Sequence, residues 1–449
     1  MYPTTQQIEG AEFLASRRTA LLADEPGYGK TAQAIIACDL VGARSILVIT
    51  TASARANWLA EFEAWSLEQR SAAAIYEGHT ASWAASRFEV LVVSWALVAT
   101  SFVLNALMKR RWDVLILDES HYCANVETDG KPVRRTVAVL GKDGIASRAD
   151  RVWCLTGTPI PNTPDDIYPT LRALAPSLLK VPQWCVDPNG RRFPDVSTYE
   201  TFLARYCVTE RRQGWFGKVK VRHVAGQNLA ELNERLQPFM LARKMSDLPP
   251  LRVSVFTVES DGPVPHDADE ADILAAAETG TTDDLDMHIG PLMRITGRLK
   301  AAACAERITD EQNAKRRPIV LFYRHVEAGD VLERALQKFK PVRVDGSVVG
   351  RKRAEAIYRF QSGQAGIFLA QIQACSEAIT LTAANEAMFV ECSFVPAQMT
   401  QALFRIYRRG QTRPCLVRVA ALRGSIDEAL MRVVTRKTVD IRAIMESTE

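Results

Sequence analysis

Short apolar, β-branched runs alternate along this chain with stretches whose apolar residues recur every three or four positions. The runs Ser45–Thr50, Val90–Trp95, Val114–Asp118 and Val152–Thr156 predict strands, and Asn57–Trp65 predicts an amphipathic helix between two of them. The runs are nearly continuous in apolar character, which is the pattern of a parallel sheet covered on both faces. After about Leu292 the alternation returns with Ile319–Tyr323, Val342–Val344, Ile367–Gln371, Met388–Glu391 and Leu416–Ala420. Between the two halves, residues 176–290 lose the alternation and become richer in Pro, isolated aromatics and charge. The expected fold class is α/β: two parallel-sheet lobes, residues 1–175 and 291–449, separated by an insertion, residues 176–290.

In open parallel sheets ligands bind beyond the carboxyl ends of the strands. Three chemically suggestive stretches fall at such ends. The first is Leu21–Ile35, LLADEPGYGKTAQAI, which reads as a strand end, a glycine-containing loop and the start of a helix near Thr31. Gly27 and Gly29 permit positive φ and close backbone approach to a ligand. Lys30 offers a compact cation to phosphate oxygens, the Thr31 hydroxyl suits a Mg²⁺ that accompanies a nucleotide, and helix-start amides favour the same anion. The match to GxxxxGK[ST] is partial, because Asp24 stands at the first glycine, and a glycine-rich turn before an amphipathic helix is the plainer reading.

The second stretch is WDVLILDESH, Trp112–His121, which delivers two adjacent carboxylates to a strand end. Asp118 suits the Mg²⁺ shell and Glu119 suits orienting and deprotonating an attacking water; a strand that simply ends in solvated acids is the alternative. The third is LTGTP, Leu155–Pro159, where Thr156 and Thr158 are small hydroxyls placed to sense a γ-phosphate. Far downstream, QMTQALFRIYRRGQ spaces Gln401, Arg405 and Arg408 by four and then three, so a helix would put them on one face. Two guanidiniums there could reach charge developing on a γ-phosphoryl group, as arginine fingers do, although basic helix faces are common.

Composition narrows the setting. The 449 residues are 24% charged with a formal net charge of +4, so any nucleic-acid surface must come from local clustering. Arg205–Val224 is such a cluster, with basic residues interleaved with Tyr206, Trp215 and Phe216, which suits either backbone tracking with base stacking or a solvated hairpin. Residues 259–290 hold ten acidic residues and no Lys or Arg, the composition of a mobile acidic loop, or of a segment that mimics DNA. Nine scattered cysteines without a CxxC pair argue against a zinc site or disulfide framework. With no signal-peptide pattern and no apolar run of about 20 residues, a cytoplasmic protein without membrane spans is expected.

The motifs together carry a family resemblance. Gln7 with Gly10 and Phe13-Leu14, then ADEPGYGKT, DESH and LTGTP, resemble motifs Q, I, II and III of superfamily-two helicases, and the DEPGYGKT variant resembles the Swi/Snf-type DNA-dependent ATPases. The resemblance implies two RecA-like lobes with ATP and Mg²⁺ between them, and Gln7 recognising the adenine. QAxxRxxRxGQ, complete here, resembles motif VI. ILVITTASARANWLAEFEAW and VLVVSWALV resemble motifs Ia and Ic, which implies backbone contacts to DNA from Arg55, Asn57, Ser94 and Trp95. RYC, GW and FMLARKMSDLPP, in that order, resemble the HARP-like (HepA-related) annealing-helicase branch, which implies a mostly helical insertion. Two departures stand out: Cys375, Ser376 and Ala378 where motif V has glycines, and Tyr407 in place of the motif VI histidine.

The resemblance implies a translocase on double-stranded or forked DNA, gripping phosphates without sequence readout, with strand annealing or fork remodelling as the outcome. Two alternatives stand beside it: a motor subunit of a restriction, defence or other nuclease assembly, and a remodeller of protein–DNA complexes.

Overall fold

The computed structural model describes residues 2–124, 133–186, 192–213, 219–245, 248–259, 290–348, 350–375, 379–393, 395–425, 427 and 431. These divide into two compact units, the described parts of Met1–Thr209 and Ala225–Met245 in one, and of Glu210–Val224 and Ser246–Val439 in the other.

In the first unit, strands β1 (Thr19–Leu22), β2 (Ile46–Thr50), β3 (Ala72–Ala74), β4 (Val90–Ser94), β5 (Trp112–Asp118) and β6 (Ala149–Leu155) alternate with helices, among them α1 (Thr5–Ala15), α2 (Lys30–Leu40) and α3 (Arg55–Trp65). The continuous apolar runs are explained by what each face meets. Leu47 and Ile49, Leu91 and Val93, and Leu115 and Leu117 join one hydrophobic cluster, while Ile46 and Val48, Val90 and Val92, and Val114 and Ile116 join another on the opposite face. A strand buried on both faces has no polar alternation to show.

The described residues of the middle of the chain depart from one expectation. Among its described residues strand outweighs helix: β7 (Lys180–Val186), β8 (Arg192–Asp195), β9 (Cys207–Gln213), β10 (Val219–Gly226), β11 (Met240–Leu241) and β12 (Leu251–Val258), against helices Tyr199–Tyr206 and Leu229–Leu236. The described part of the expected insertion is thus not mostly helical. Val219 and Val221 alternate with Lys220 and Arg222 at the start of β10, which pairs with β9 as a two-stranded sheet, so part of the basic segment is strand. Trp215 and Phe216, and residues 260–289 of the acidic stretch, lie outside the described residues.

The sheet of the first unit runs β11-β1-β6-β5-β2-β4-β3, all parallel. Its order puts β1, β6 and β5 side by side, with Leu22 and Asp118 both in register with Leu155. The three strand-end motifs therefore converge.

The second unit holds β13 (Ile319–Tyr323), β14 (Val342–Val344), β15 (Ile367–Gln371), β16 (Glu386–Phe389) and β17 (Cys415–Leu422), in the parallel order β12-β17-β16-β13-β15-β14. Val320 and Phe322 face one cluster; Ile319, Leu321 and Tyr323 face the other. The run expected as Met388–Glu391 is strand two residues earlier. The Glu391 carboxylate leaves the ladder to accept from the Arg324 and His325 amides at 2.8 and 2.9 Å. Among the described residues no helix is long and apolar enough to cross a membrane.

Candidate active site

The loop after β1 is shaped by its glycines. Gly27 has φ 96° and Gly29 φ 80°, a left-handed conformation costly for other residues. Gly29 is the N-cap of α2 and supplies no side-chain acceptor, so the helix's first amides keep their capacity for an outside anion. Lys30 opens the helix and folds its ammonium back onto the loop, donating to the carbonyls of Asp24 at 2.5 Å and Glu25 at 3.3 Å. Burial lowers the Lys30 pKa, opposed by the charges of Glu119, Asp24, Asp118 and Glu25, which places these acids around one cation. Thr31 follows in the first turn, partly exposed.

Gln7 is held from two sides. Its Oε1 accepts from the Thr4 amide at 2.9 Å in a capping box that starts α1, and a Cβ on Gly29 would lie 2.4 Å from its Nε2. The glutamine is thus wedged against the phosphate-loop glycine. Asp24, fully buried, is bound by Arg243: the Arg243 Nη2 donates to Oδ2 at 2.6 Å and its Nε to Oδ1 at 3.0 Å. Removing one partner of such a pair costs about 3–5 kcal/mol, because the other charge is left buried.

At the end of β5, Asp118 Oδ2 accepts from Thr50 Oγ1 at 2.6 Å and from Trp58 Nε1 at 2.8 Å. Burial, and then the neighbouring Glu119, push Asp118 above the usual carboxylate range, against the pull of Thr50, Trp58 and Lys30. Glu119 sits at φ 53°, ψ 50°. For a residue with a Cβ that conformation costs on the order of 1–3 kcal/mol and persists where surrounding structure imposes it. It turns the Glu119 side chain toward His121, whose Nδ1 lies 3.2 Å from Glu119 Oε2 and 3.1 Å from Thr156 Oγ1. Thr156 in turn accepts from the Thr158 amide at 3.1 Å. A Cβ on Gly157 would come within 2.8 Å of Pro26, so LTGTP packs directly on the phosphate loop. The second and third motifs and the loop are one connected assembly.

In the second unit the helix Pro396–Leu403 carries Gln401, which is buried, and then stops. The expectation that Gln401, Arg405 and Arg408 share one helical face is corrected here. The Arg405 carbonyl accepts from the Leu381 amide at 2.8 Å, and the amides of Arg405 and Ile406 turn back to Ala402 and Leu403. Arg405 is buried, and Arg408 donates to the Ile379 carbonyl at 3.2 Å with its pKa lowered by burial. Ser376 and Ala378 lie outside the described residues, and Cys375 is placed only as the end of the helix Ile372–Cys375.

Residues 6–259 match the SNF2-related domain, more than half of the chain, and residues 300–410 match the helicase conserved C-terminal domain. The chain belongs to the SNF2-related family. It is 25% identical over 456 residues to "DNA annealing helicase and endonuclease ZRANB3" of Mus musculus, covering 96% of this chain and 40% of that protein. It is 26% identical over 450 residues to "SWI/SNF-related matrix-associated actin-dependent regulator of chromatin subfamily A-like protein 1" of Xenopus tropicalis, covering 96% and 44%. The chain thus spans about two fifths of the length of these relatives. Among solved structures, "Sulfolobus solfataricus SWI2/SNF2 ATPase core in complex with dsDNA" aligns with TM-score 0.44 and 19% identity, over 100% of this chain and 98% of that one.

Within this SNF2-related chain, the four residues expected to touch DNA separate into two kinds. Arg55 and Asn57 lie at the start of α3 with Asn57 exposed; Arg55 donates to Ile75 and Ala52 carbonyls and sits over the Tyr76 ring at 4.5 Å. Ser94 and Trp95 are corrected: each is only 3% exposed. The Ser94 hydroxyl caps the helix Trp95–Val98, and Trp95 Nε1 donates to the Asp118 carbonyl at 2.8 Å while its ring stacks on Tyr122. Trp95 thus holds the carbonyl at the start of the Asp-Glu turn, and Ser94 starts the helix that carries Trp95. Sequence reading missed Thr50, Trp58, His121 and Arg243. For Arg243 a signal existed: a carboxylate at a loop position that should be glycine demands a cationic partner if it is buried.

Proposed function

We propose that this chain is an ATP-driven motor that moves on double-stranded or forked DNA. The observation that carries the proposal is the gathering of Lys30, Asp118 and Glu119 around the loop at Gly27 and Gly29, in a chain of the SNF2-related family. The donor set fits a Mg²⁺–nucleotide. Lys30 and the opening amides of α2 would take the phosphates, Thr31 and Asp118 the metal, and Gln7 the adenine. The metal's chemistry there is charge neutralisation on the phosphates.

Glu119 accepts a proton from the attacking water, oriented through His121 and Thr156. The Thr156–Thr158 contact gives the γ-phosphate position a path to the third motif. From the second lobe, Arg405 and Arg408, assisted by Gln401, neutralise charge developing on the transferred phosphoryl group. The two units serve as the two lobes of the motor, β11 completing the sheet of the first and β12 that of the second. DNA as the track is supported by the names of the relatives, which call ZRANB3 a DNA annealing helicase, and Arg55 and Asn57 are the contacts this reading keeps.

The test is ATPase rate against matched single-stranded DNA, duplex DNA, forked DNA and duplex RNA. Duplex or forked DNA should stimulate, and two duplexes of unrelated sequence should stimulate equally. The apparent affinity for duplex should fall with salt at a log–log slope of about −0.9 per phosphate neutralised. Hydrolysis indifferent to every nucleic acid, or responsive to one sequence alone, would contradict the proposal.

A further inference from the structure

Asp24 poses a problem for a loop that binds phosphates. It stands where GxxxxGK[ST] has its first glycine, and it is wholly buried. An uncompensated carboxylate there would repel the anion that the loop is built to receive. Arg243 answers it with more than an ion pair. Besides the two guanidinium bonds to Asp24, its backbone amide donates to Oδ1 at 3.1 Å. The remaining guanidinium donors reach the Gln6 carbonyl at 2.8 Å, Glu9 at 3.2 Å and Gln33 Oε1 at 2.9 Å. Gln33, on α2, donates to Asp24 Oδ2 and to the Tyr28 carbonyl, both at 3.2 Å.

The backbones are joined as well. Ala23 N donates to Leu241 O at 2.7 Å, Glu25 N to Arg243 O at 3.1 Å, and Met245 N to Glu25 Oε2 at 2.9 Å. On the α1 side, a Cβ on Gly10 would fall 1.6 Å from Gln33 Oε1 and 2.8 Å from Arg243, so a glycine leaves room for the network. One guanidinium therefore ties α1, the loop and α2 together, and Asp24 at its centre supplies the carbonyl that receives Lys30 Nζ.

We propose that Arg243 is the positioning residue of the phosphate loop: by fixing Asp24 it fixes the carbonyl that holds Lys30, and with it the loop's readiness for a nucleotide. The inference rests on the nucleotide reading of the loop. A planar fork is required, since one group must serve a carboxylate, two further side chains and a carbonyl at once; lysine supplies the charge but not the geometry. Burial opposes the Arg243 charge, yet its bonds to Asp24 hold its pKa above the ordinary value.

The experiment titrates a fluorescent ATP analogue with Mg²⁺ onto the full chain and records thermal melting of the same samples. Arg243→Gln should weaken nucleotide binding by tenfold or more, with Arg243→Lys between it and the unchanged chain. The pair Asp24→Asn with Arg243→Gln removes both charges of this buried pair, so melting should recover while affinity stays tenfold or more below normal. If Arg243→Gln does not fold, the double variant decides alone. Normal affinity in Arg243→Gln, or recovery of both melting and affinity in the double variant, would overturn the proposal and leave the pair a structural one. Lys30→Ala separates the two levels. If it too binds normally, the nucleotide reading fails; if it loses binding while the Arg243 variants do not, only the positioning role fails.

Discussion

Glu119→Gln should reduce ATP turnover by a factor on the order of 10²–10⁴, the usual contribution of a positioned general base, while ATP affinity stays unchanged. The amide is nearly isosteric and can still hydrogen-bond to His121, but it cannot take a proton from water. Lys30→Ala should also abolish turnover, and it should weaken ATP binding as well, because the cation that faces the phosphates among Asp118 and Glu119 is lost. The two variants therefore separate chemistry from binding. Direct nucleotide titration beside steady-state rates checks both. Near-normal turnover in either variant would remove the site from this loop.

Arg405→Ala and Arg408→Ala should each lower kcat by a factor on the order of 10³ or more if the residue acts as an arginine finger. ATP affinity should change far less than kcat, because the charge these groups meet develops mainly in the transition state. The structure sharpens this expectation. Both residues follow the end of the helix, Arg405 in a turn and Arg408 in the bend after it, and the Arg405 carbonyl is pinned by Leu381. Their aim is thus set by backbone outside the helix. Arg408→Lys should not restore full activity, since lysine offers a point charge in place of a planar fork. Single-turnover rates on the full chain decide, and a lysine variant as fast as the unchanged chain would end the two-donor argument.

What the sequence made legible follows from where the physics is local. Ile319–Tyr323, Val342–Val344 and Ile367–Gln371 form strands with the expected limits. Ile319–Tyr323 and Ile367–Gln371 are apolar runs that meet a cluster on each face, and the two valines of Val342–Val344 turn to one cluster. The phosphate loop was legible too, since Gly27 and Gly29 announce positive φ by residue type. Partnerships across the fold were not. Asp24 and Arg243 are 219 positions apart, and only the parallel pairing of β11 with β1 brings them together.

Trp95 and Ser94 misled because a polar or aromatic residue after a strand reads the same whether it faces solvent or caps a buried turn. The helix expected through Arg408 failed for a similar reason. Spacing of four and three is compatible with a helix, but a tertiary hydrogen bond to Leu381 claims the carbonyl that would continue it. In the middle segment, Pro, aromatics and charge obscured short strands whose period of two spans only a few residues.

The claim on which the account depends is that ATP hydrolysis moves this chain along duplex DNA. Displacement of a third strand from a triplex measures that directly, because the third strand lies in the path of a tracking motor and no base pair of the duplex need open. The account predicts ATP-dependent displacement that Glu119→Gln eliminates, with weak or no unwinding of a plain tailed duplex. Efficient ATP-driven unwinding of a long tailed duplex, with the triplex left intact, would contradict it.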